Sequence, residues 1–406
     1  MSSLFIFLIT LSILIILIYN KIDLGISLLI CSGFVVALSG MPPIHALLTL
    51  WAGATNTITL ELLGIISCIL LMGGLMKHVG MLDKMVSSLD ALFSDIRASL
   101  ALIPAAIGMI PMPGGALFSA KISKDVGDRI DISPELKTFI NYWFRHIWEY
   151  IFPLYPGLVL WVTLLDLEFK RIFFIHLPFT ITAITVGIVM LVLKVRPKEM
   201  TLNQEPKVNR PKALIDLICA IWPLFVVVLS VLVLKLHILI PLLLCDLYLL
   251  FIKTKGWKQR WGIIRNDLSV HILFLIVTVM IFKEIISESS IITRLPIELS
   301  GMGIHPHVVV WVIPFLVGIL TGIVHAYVGV SAPLMLPFVS GSSIDYTTLA
   351  FAFLSGFVGV LLSPVHLCLA LSKEFFKAHW AGVYKLLIVP CLILLIMGII
   401  RLIFFG

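Results

Sequence analysis

Charge is scarce in this 406-residue chain: Asp, Glu, Lys and Arg make up 13% of it, and hydrophobic residues 60%. A soluble domain is roughly half apolar and carries about 25% charge. The composition therefore excludes one and predicts an all-α polytopic membrane protein. Paired cysteines are also lacking. Cys31, Cys68, Cys219, Cys245, Cys368 and Cys391 lie in apolar runs with no CxxC spacing, and read as small core hydrophobes. No HExxH, no GxSxG and no Gly-rich phosphate loop occurs. These absences argue against a metalloprotease, a serine hydrolase and an ATP-driven pump, and leave no metal or cofactor motif. The net charge of +7 sits in loops between apolar runs, so it reports topology and not nucleic-acid binding. Leu4 to Tyr19 has no basic residue before it and no small-residue cleavage site. It reads as a first span, not a signal peptide.

What is present is organised around Leu100 to Gly157. Leu100–Ile110 is apolar, yet at ~1.5 Å per residue it covers roughly 17 Å of a ~30 Å hydrocarbon core. Pro111, Pro113, Gly114 and Gly115 then break it, and the chain returns to Lys121 and Lys124. This pattern predicts a re-entrant hairpin, which is tolerated only inside protein or beside a water-filled cavity. The next segment, Phe139–Leu165, is interrupted too. Pro153 and Pro156 remove the bonds that the Glu149 and Phe152 carbonyls would accept, freeing both to face a ligand. Such breaks mark binding sites in transporters.

Spans are predicted at about 3–19, 23–39, 57–76, 138–165, 173–193, 213–234, 237–252, 268–286, 348–371 and 385–404. Hairpins are predicted at about 100–120 and 306–338, with an amphipathic interfacial helix over Val79–Ala98. Placing the basic loops Lys194–Lys212 and Lys253–Asp267 inside the cell puts both termini outside. Ile103, Pro104 and Gly108 recur as Ile313, Pro314 and Gly318, each 210 residues on. Pro153 recurs as Pro364, and Glu168-Phe169 as Glu374-Phe375. The chain thus divides into residues 1–195, a polar cytoplasmic linker at 196–211, and an inverted second copy at 212–406. Inverted repeats with broken helices in matching places are the architecture of secondary transporters.

At this point a resemblance emerges. Ile110-Pro-Met-Pro-Gly-Gly, Glu149-Tyr-Ile-Phe-Pro-Leu-Tyr-Pro-Gly157 and Tyr327-Val-Gly-Val-Ser-Ala-Pro333 resemble an uncharacterised prokaryotic membrane family of the ion-transporter superfamily. Relatives there include gluconate permeases and divalent anion:sodium symporters. The resemblance covers nearly the whole chain. It implies an elevator mechanism, a homodimer and residence in the cell (inner) membrane of a prokaryote. The symporters carry Ser-Asn-Thr at each hairpin tip, which binds sodium and carboxylate. This chain has Met-Pro-Gly-Gly and Gly-Val-Ser-Ala-Pro instead.

Asn141, Arg145 and Glu149 recur every four residues and are predicted to share one helix face. An intramembrane Arg is costly and normally faces a cavity or a partner. Either Arg145 pairs with Glu149 for architecture, or its planar fork receives a carboxylate or phosphate. The predicted substrate site comprises Met112, Pro113, Gly114, Gly115, Ser119, Asn141, Arg145, Tyr155, Tyr327, Gly329, Ser331 and His366. Glu149, His146 and His325 are the candidates for coupling to Na+ or H+. His325 and Tyr327 are expected just before the second hairpin tip at Gly329–Pro333. The function expected is secondary active transport of a small organic anion bearing a carboxylate, driven by an ion gradient. The partners are that solute, the coupling ion and the lipid bilayer. The competing readings are a lipid-linked phosphate translocase, and an intramembrane enzyme using His146, Glu149 or His325 as acid or base on a lipid head group.

Overall fold

The computed structural model describes residues 2–93, 95–112, 115–128, 132–195, 210–289, 291–303, 306–339 and 345–405. Every regular element among them is helical. The first ten are α1 (Ser3–Tyr19), α2 (Leu24–Ser39), α3 (Pro43–Thr55), α4 (Thr57–His78), α5 (Met81–Leu92), α6 (Ile96–Gly108), α7 (Gly115–Asp128), α8 (Pro134–Arg145), α9 (Pro156–Leu164) and α10 (Phe169–Lys194). Five follow in α11 (Arg210–Leu232), α12 (Leu239–Tyr248, continued by a π-helical turn over Leu249–Lys253), α13 (Trp257–Asp267), α14 (Val270–Glu288) and α15 (Ile291–Gly301). The last five are α16 (Pro306–Thr321), α17 (Val324–Val339), α18 (Tyr346–Leu362), α19 (Leu367–Phe376) and α20 (Trp380–Phe405).

Among the described residues, six helical stretches are long and apolar enough to cross a membrane: Pro43–His78, Phe169–Lys194, Arg210–Leu232, Val270–Glu288, Tyr346–Phe376 and Trp380–Phe404. The other four predicted spans fall on the short α1 and α2, the interrupted α8–α9, and α12 with its π turn. Helices α3, α13 and α15 were not foreseen in the sequence. The helix expected over Val79–Ala98 is two elements. It stops at Leu92, and the Asp95 carboxylate then caps α6 by accepting the Arg97 N–H at 2.9 Å.

Neighbours repeat between the halves. Helix α6 packs on α8 as α16 packs on α18, and α7 on α19 as α17 on α9. Likewise α2 and α3 pack on α14 as α12 and α13 pack on α4, and α5 on α11 as α15 on α1. Close approach is made the same way twice. A Cβ at Gly108 would overlap the Arg145 carbonyl, and one at Gly318 would overlap the Gly356 carbonyl. Only glycine allows α6 and α16 to lie so near the backbones they cross.

Helices α8 and α18 form the centre. Every α18 residue from Thr348 to Leu361 is buried, as an apolar helix without a polar face must be. Pro134 and the Ser133 hydroxyl, which accepts the Leu136 N–H at 3.2 Å, start α8. It ends at Arg145, before Pro153 could have been reached by continuous helix. Pro156 restarts the chain as α9. The same interruption separates α18 from α19 around Pro364.

Candidate functional site

The two interruptions meet in the middle of the protein, and the polar side chains gather there. Arg145 is 5% exposed. Its guanidinium turns to the chain between α6 and α7, where Nη2 donates to the Met112 carbonyl at 3.5 Å. Among the described residues Nη1 has no hydrogen-bond partner. Gly115 opens α7 directly beneath it, and Nη1 lies 2.7 Å from where a Cβ at 115 would stand. One turn earlier on α8, Asn141 donates from Nδ2 to the Ala116 carbonyl at 3.1 Å and to Ser372 Oγ at 2.8 Å. That amide joins α8 to the start of α7 and to α19. Its Oδ1 is buried without a partner among the described residues. Ser119 is fully buried and donates to the Gly115 carbonyl at 3.3 Å. Met112, Gly115, Ser119, Asn141 and Arg145 therefore assemble around the N-terminus of α7. Pro113 and Gly114 lie outside the described residues.

Glu149 does not join them. Because α8 ends at Arg145, residue 149 lies off the helix and the expected common face of Asn141, Arg145 and Glu149 is cut after two members. Glu149 instead lies 3.6 Å from His146 Nε2, and no Arg145–Glu149 ion pair forms. The Phe152 carbonyl is likewise not free, since it accepts the Tyr155 N–H at 3.1 Å. Tyr155 donates its hydroxyl to the Gly108 carbonyl and so fastens the start of α9 to the end of α6.

A second group sits beside the first. His146 follows the last residue of α8, and His366 caps α19. Their ring centroids are 4.9 Å apart, edge to face, and Tyr142 stacks at 4.6 Å from one and 5.3 Å from the other. Both histidines turn Nδ1 to a backbone carbonyl, Tyr142 at 2.6 Å and Val360 at 3.3 Å. Cys368, half-buried on α19, completes the group: one ligand atom each from His146, His366 and Cys368 lie within 4.8 Å of one another. The sequence reads Cys368 as a small core hydrophobe, because no CxxC or HExxH spacing contains it. Its only local signal is His366-Leu-Cys368 after the Pro364 break.

The second helix pair turns elsewhere than expected. Helix α16 ends at Thr321 and α17 begins at Val324, with Gly322 between them at φ +62°. The chain reverses there because glycine accepts a left-handed backbone. A Cβ at Gly322 would stand 2.7 Å from the His366 nitrogen, so this turn touches the second interruption. Gly329–Pro333 lies inside α17. The side of Gly329 faces Val279 of α14. Tyr327 is buried, lies over Gly356 and donates to the Phe353 carbonyl at 3.0 Å, holding α17 to α18. Ser331 is buried with its Oγ unpartnered. His325 is half-buried at the start of α17, where its backbone nitrogen meets Gly157 of α9, and it is not part of the His146–His366–Cys368 group.

Long apolar helices wrapped around a buried polar centre define a multi-pass helical membrane protein. The chain belongs to the family described as "Protein of unknown function (DUF401)", which matches residues 1–404. No curated protein matches the chain.

Proposed function

We propose that this protein is a secondary active transporter that carries a small organic anion bearing a carboxylate by an elevator mechanism, driven by Na+ or H+. The observation that carries the reading is Arg145. A guanidinium removed from water normally has its N–H groups satisfied, and an unpaired buried charge is expensive. Among the described residues, Arg145 Nη1 has no partner and no carboxylate lies within ion-pair distance of the guanidinium, and the N-terminus of α7 stands beside it. A carboxylate would take the open Nη1 of the planar fork, with the positive end of α7 beside it.

The architecture supports the same reading. Two short helix pairs, α6–α7 and α16–α17, fit re-entrant hairpins, and the contacts that survive exchange of the halves fit an inverted repeat. The resemblance to the ion-transporter superfamily agrees with both. At 5% exposure, Arg145 is occluded, so the site must open to one side or the other by movement of the helix pairs. The bilayer is a prokaryotic cell membrane in this reading, both termini lie outside, and the unit is a homodimer.

Purified protein in proteoliposomes, given monocarboxylates, dicarboxylates and sugar acids under imposed Na+ or proton gradients, tests it. Saturable, gradient-dependent uptake of one class is expected. Uptake of none under either gradient contradicts the proposal.

A further inference from the structure

We propose that His146, His366 and Cys368, with Glu149 beside them, form a binding site for a divalent late transition metal such as zinc. The metal would bind whether or not the protein carries an anion.

The hydrogen bonds fix what the two imidazoles offer. A backbone carbonyl accepts and never donates, so the nitrogen facing it must carry the proton. His146 donates from Nδ1 to Tyr142 and His366 from Nδ1 to Val360. In each neutral ring the lone pair is then left on Nε2, the arrangement that orients metal-ligating histidines in general. Both rings are almost fully buried, at 3% and 6% exposure. His146 Nε2 points to Glu149 Oε1 at 3.6 Å. The Cys368 thiol hydrogen-bonds the same imidazole, so its lone pair is aimed into the group.

Cys368 supplies the third donor. The ligand atoms of His146, His366 and Cys368 already lie within 4.8 Å of one another. A tetrahedral zinc ion, with bonds of about 2.0–2.3 Å, needs them roughly 3.5 Å apart, a closure of about an ångström that rotamer adjustment can supply. Two imidazole nitrogens, one thiolate and a carboxylate or water suit zinc and its neighbours over Mg2+ or Ca2+. The cysteine thiol loses its proton on binding, and that proton leaves to solvent. The four donors come from both interruptions, so the ion would tie the end of α8 to the start of α19. It would also stand one residue from Arg145.

The test uses full-length protein in detergent, stripped with chelator, on an affinity tag free of histidine, with the exposed Cys219 replaced by Ser. Co2+ is titrated as a visible probe and Zn2+ as its competitor. We expect one Co2+ per chain, with tetrahedral d–d absorption, a near-ultraviolet thiolate charge-transfer band, and displacement by Zn2+. Cys368→Ser should abolish the charge-transfer band, while Cys245→Ser leaves it intact. His146→Ala and His366→Ala should each weaken Co2+ binding at least tenfold, with folding followed by the metal-free melting temperature. Cys368→Ser removes only a half-buried sulfur and remains decisive if either histidine variant fails to fold. Absence of the bands in the parent protein, or their persistence in Cys368→Ser, overturns the proposal.

Discussion

The guanidinium of Arg145 lies flat against Gly115, with Nη1 2.7 Å from the position a Cβ would take. The last residue of α8 and the first residue of α7 thus share a space that no larger side chain at 115 leaves open. What a new methyl would meet is the mobile end of a long side chain, not backbone. Gly115→Ala is therefore expected to displace Arg145 without unfolding the protein. Uptake in proteoliposomes should fall at least tenfold, while the melting temperature stays within about 3 °C of the parent, a change of order 1 kcal/mol or less. Unchanged uptake would separate Gly115 from the site.

Gly108 and Gly318 make the opposite case. At each, a Cβ would run into a backbone carbonyl, of Arg145 and of Gly356 respectively. Backbone cannot rotate aside, so Gly108→Ala and Gly318→Ala should each destabilise by about 1–3 kcal/mol through overpacking. Thermal unfolding in detergent measures both. A loss in one half only would show that the two crossings are not equivalent.

Tyr327 is expected to act on stability. Its hydroxyl donates to the Phe353 carbonyl at 3.0 Å in a fully buried setting. Tyr327→Phe keeps the ring over Gly356 and removes that bond, which should lower stability by about 1 kcal/mol. An unchanged unfolding midpoint would contradict the assignment.

The orientation is tested at two exposed loop lysines, Lys235 and Lys255. With basic loops inside, Lys235 faces out and Lys255 faces in. In a Cys219→Ser background, Lys235→Cys should react with an impermeant thiol reagent on intact cells. Lys255→Cys should react only after the membrane is opened. The reverse pattern inverts the topology.

Much of this frame was legible in the sequence because hydrophobic length and proline position act locally. The Pro364 interruption stands where its proline puts it, whereas the one expected at Pro153 opens earlier, at the end of α8. The 210-residue recurrence of Ile-Pro and Gly was also a guide to the second turn. Carried from Pro111–Gly114, it lands on Thr321–Val324, where Gly322 reverses the chain. The Gly329–Pro333 motif suggests a hairpin tip because prolines normally end helices, yet α17 runs through it. The partner of Arg145 was not legible. Spacing of four residues implies a shared face only while the helix lasts, and α8 stops at the arginine itself. Cys368 was out of reach for a further reason. It meets His146 only because the two interruptions, from separate halves of the chain, meet in space.

The central claim is that Arg145 binds the transported anion, and counterflow in proteoliposomes tests it most directly. Vesicles loaded with an unlabelled carboxylate take up the labelled one with no ion gradient, so coupling does not enter. Arg145→Lys keeps the charge and loses the two-pronged fork, and should raise the half-saturation concentration roughly tenfold, about 1.4 kcal/mol. Arg145→Ala should fold, since Glu149 lies within ion-pair distance of His146 and forms no ion pair with the arginine, and should show no counterflow. Well-folded Arg145→Ala protein that exchanges the anion at the parent rate would contradict the account.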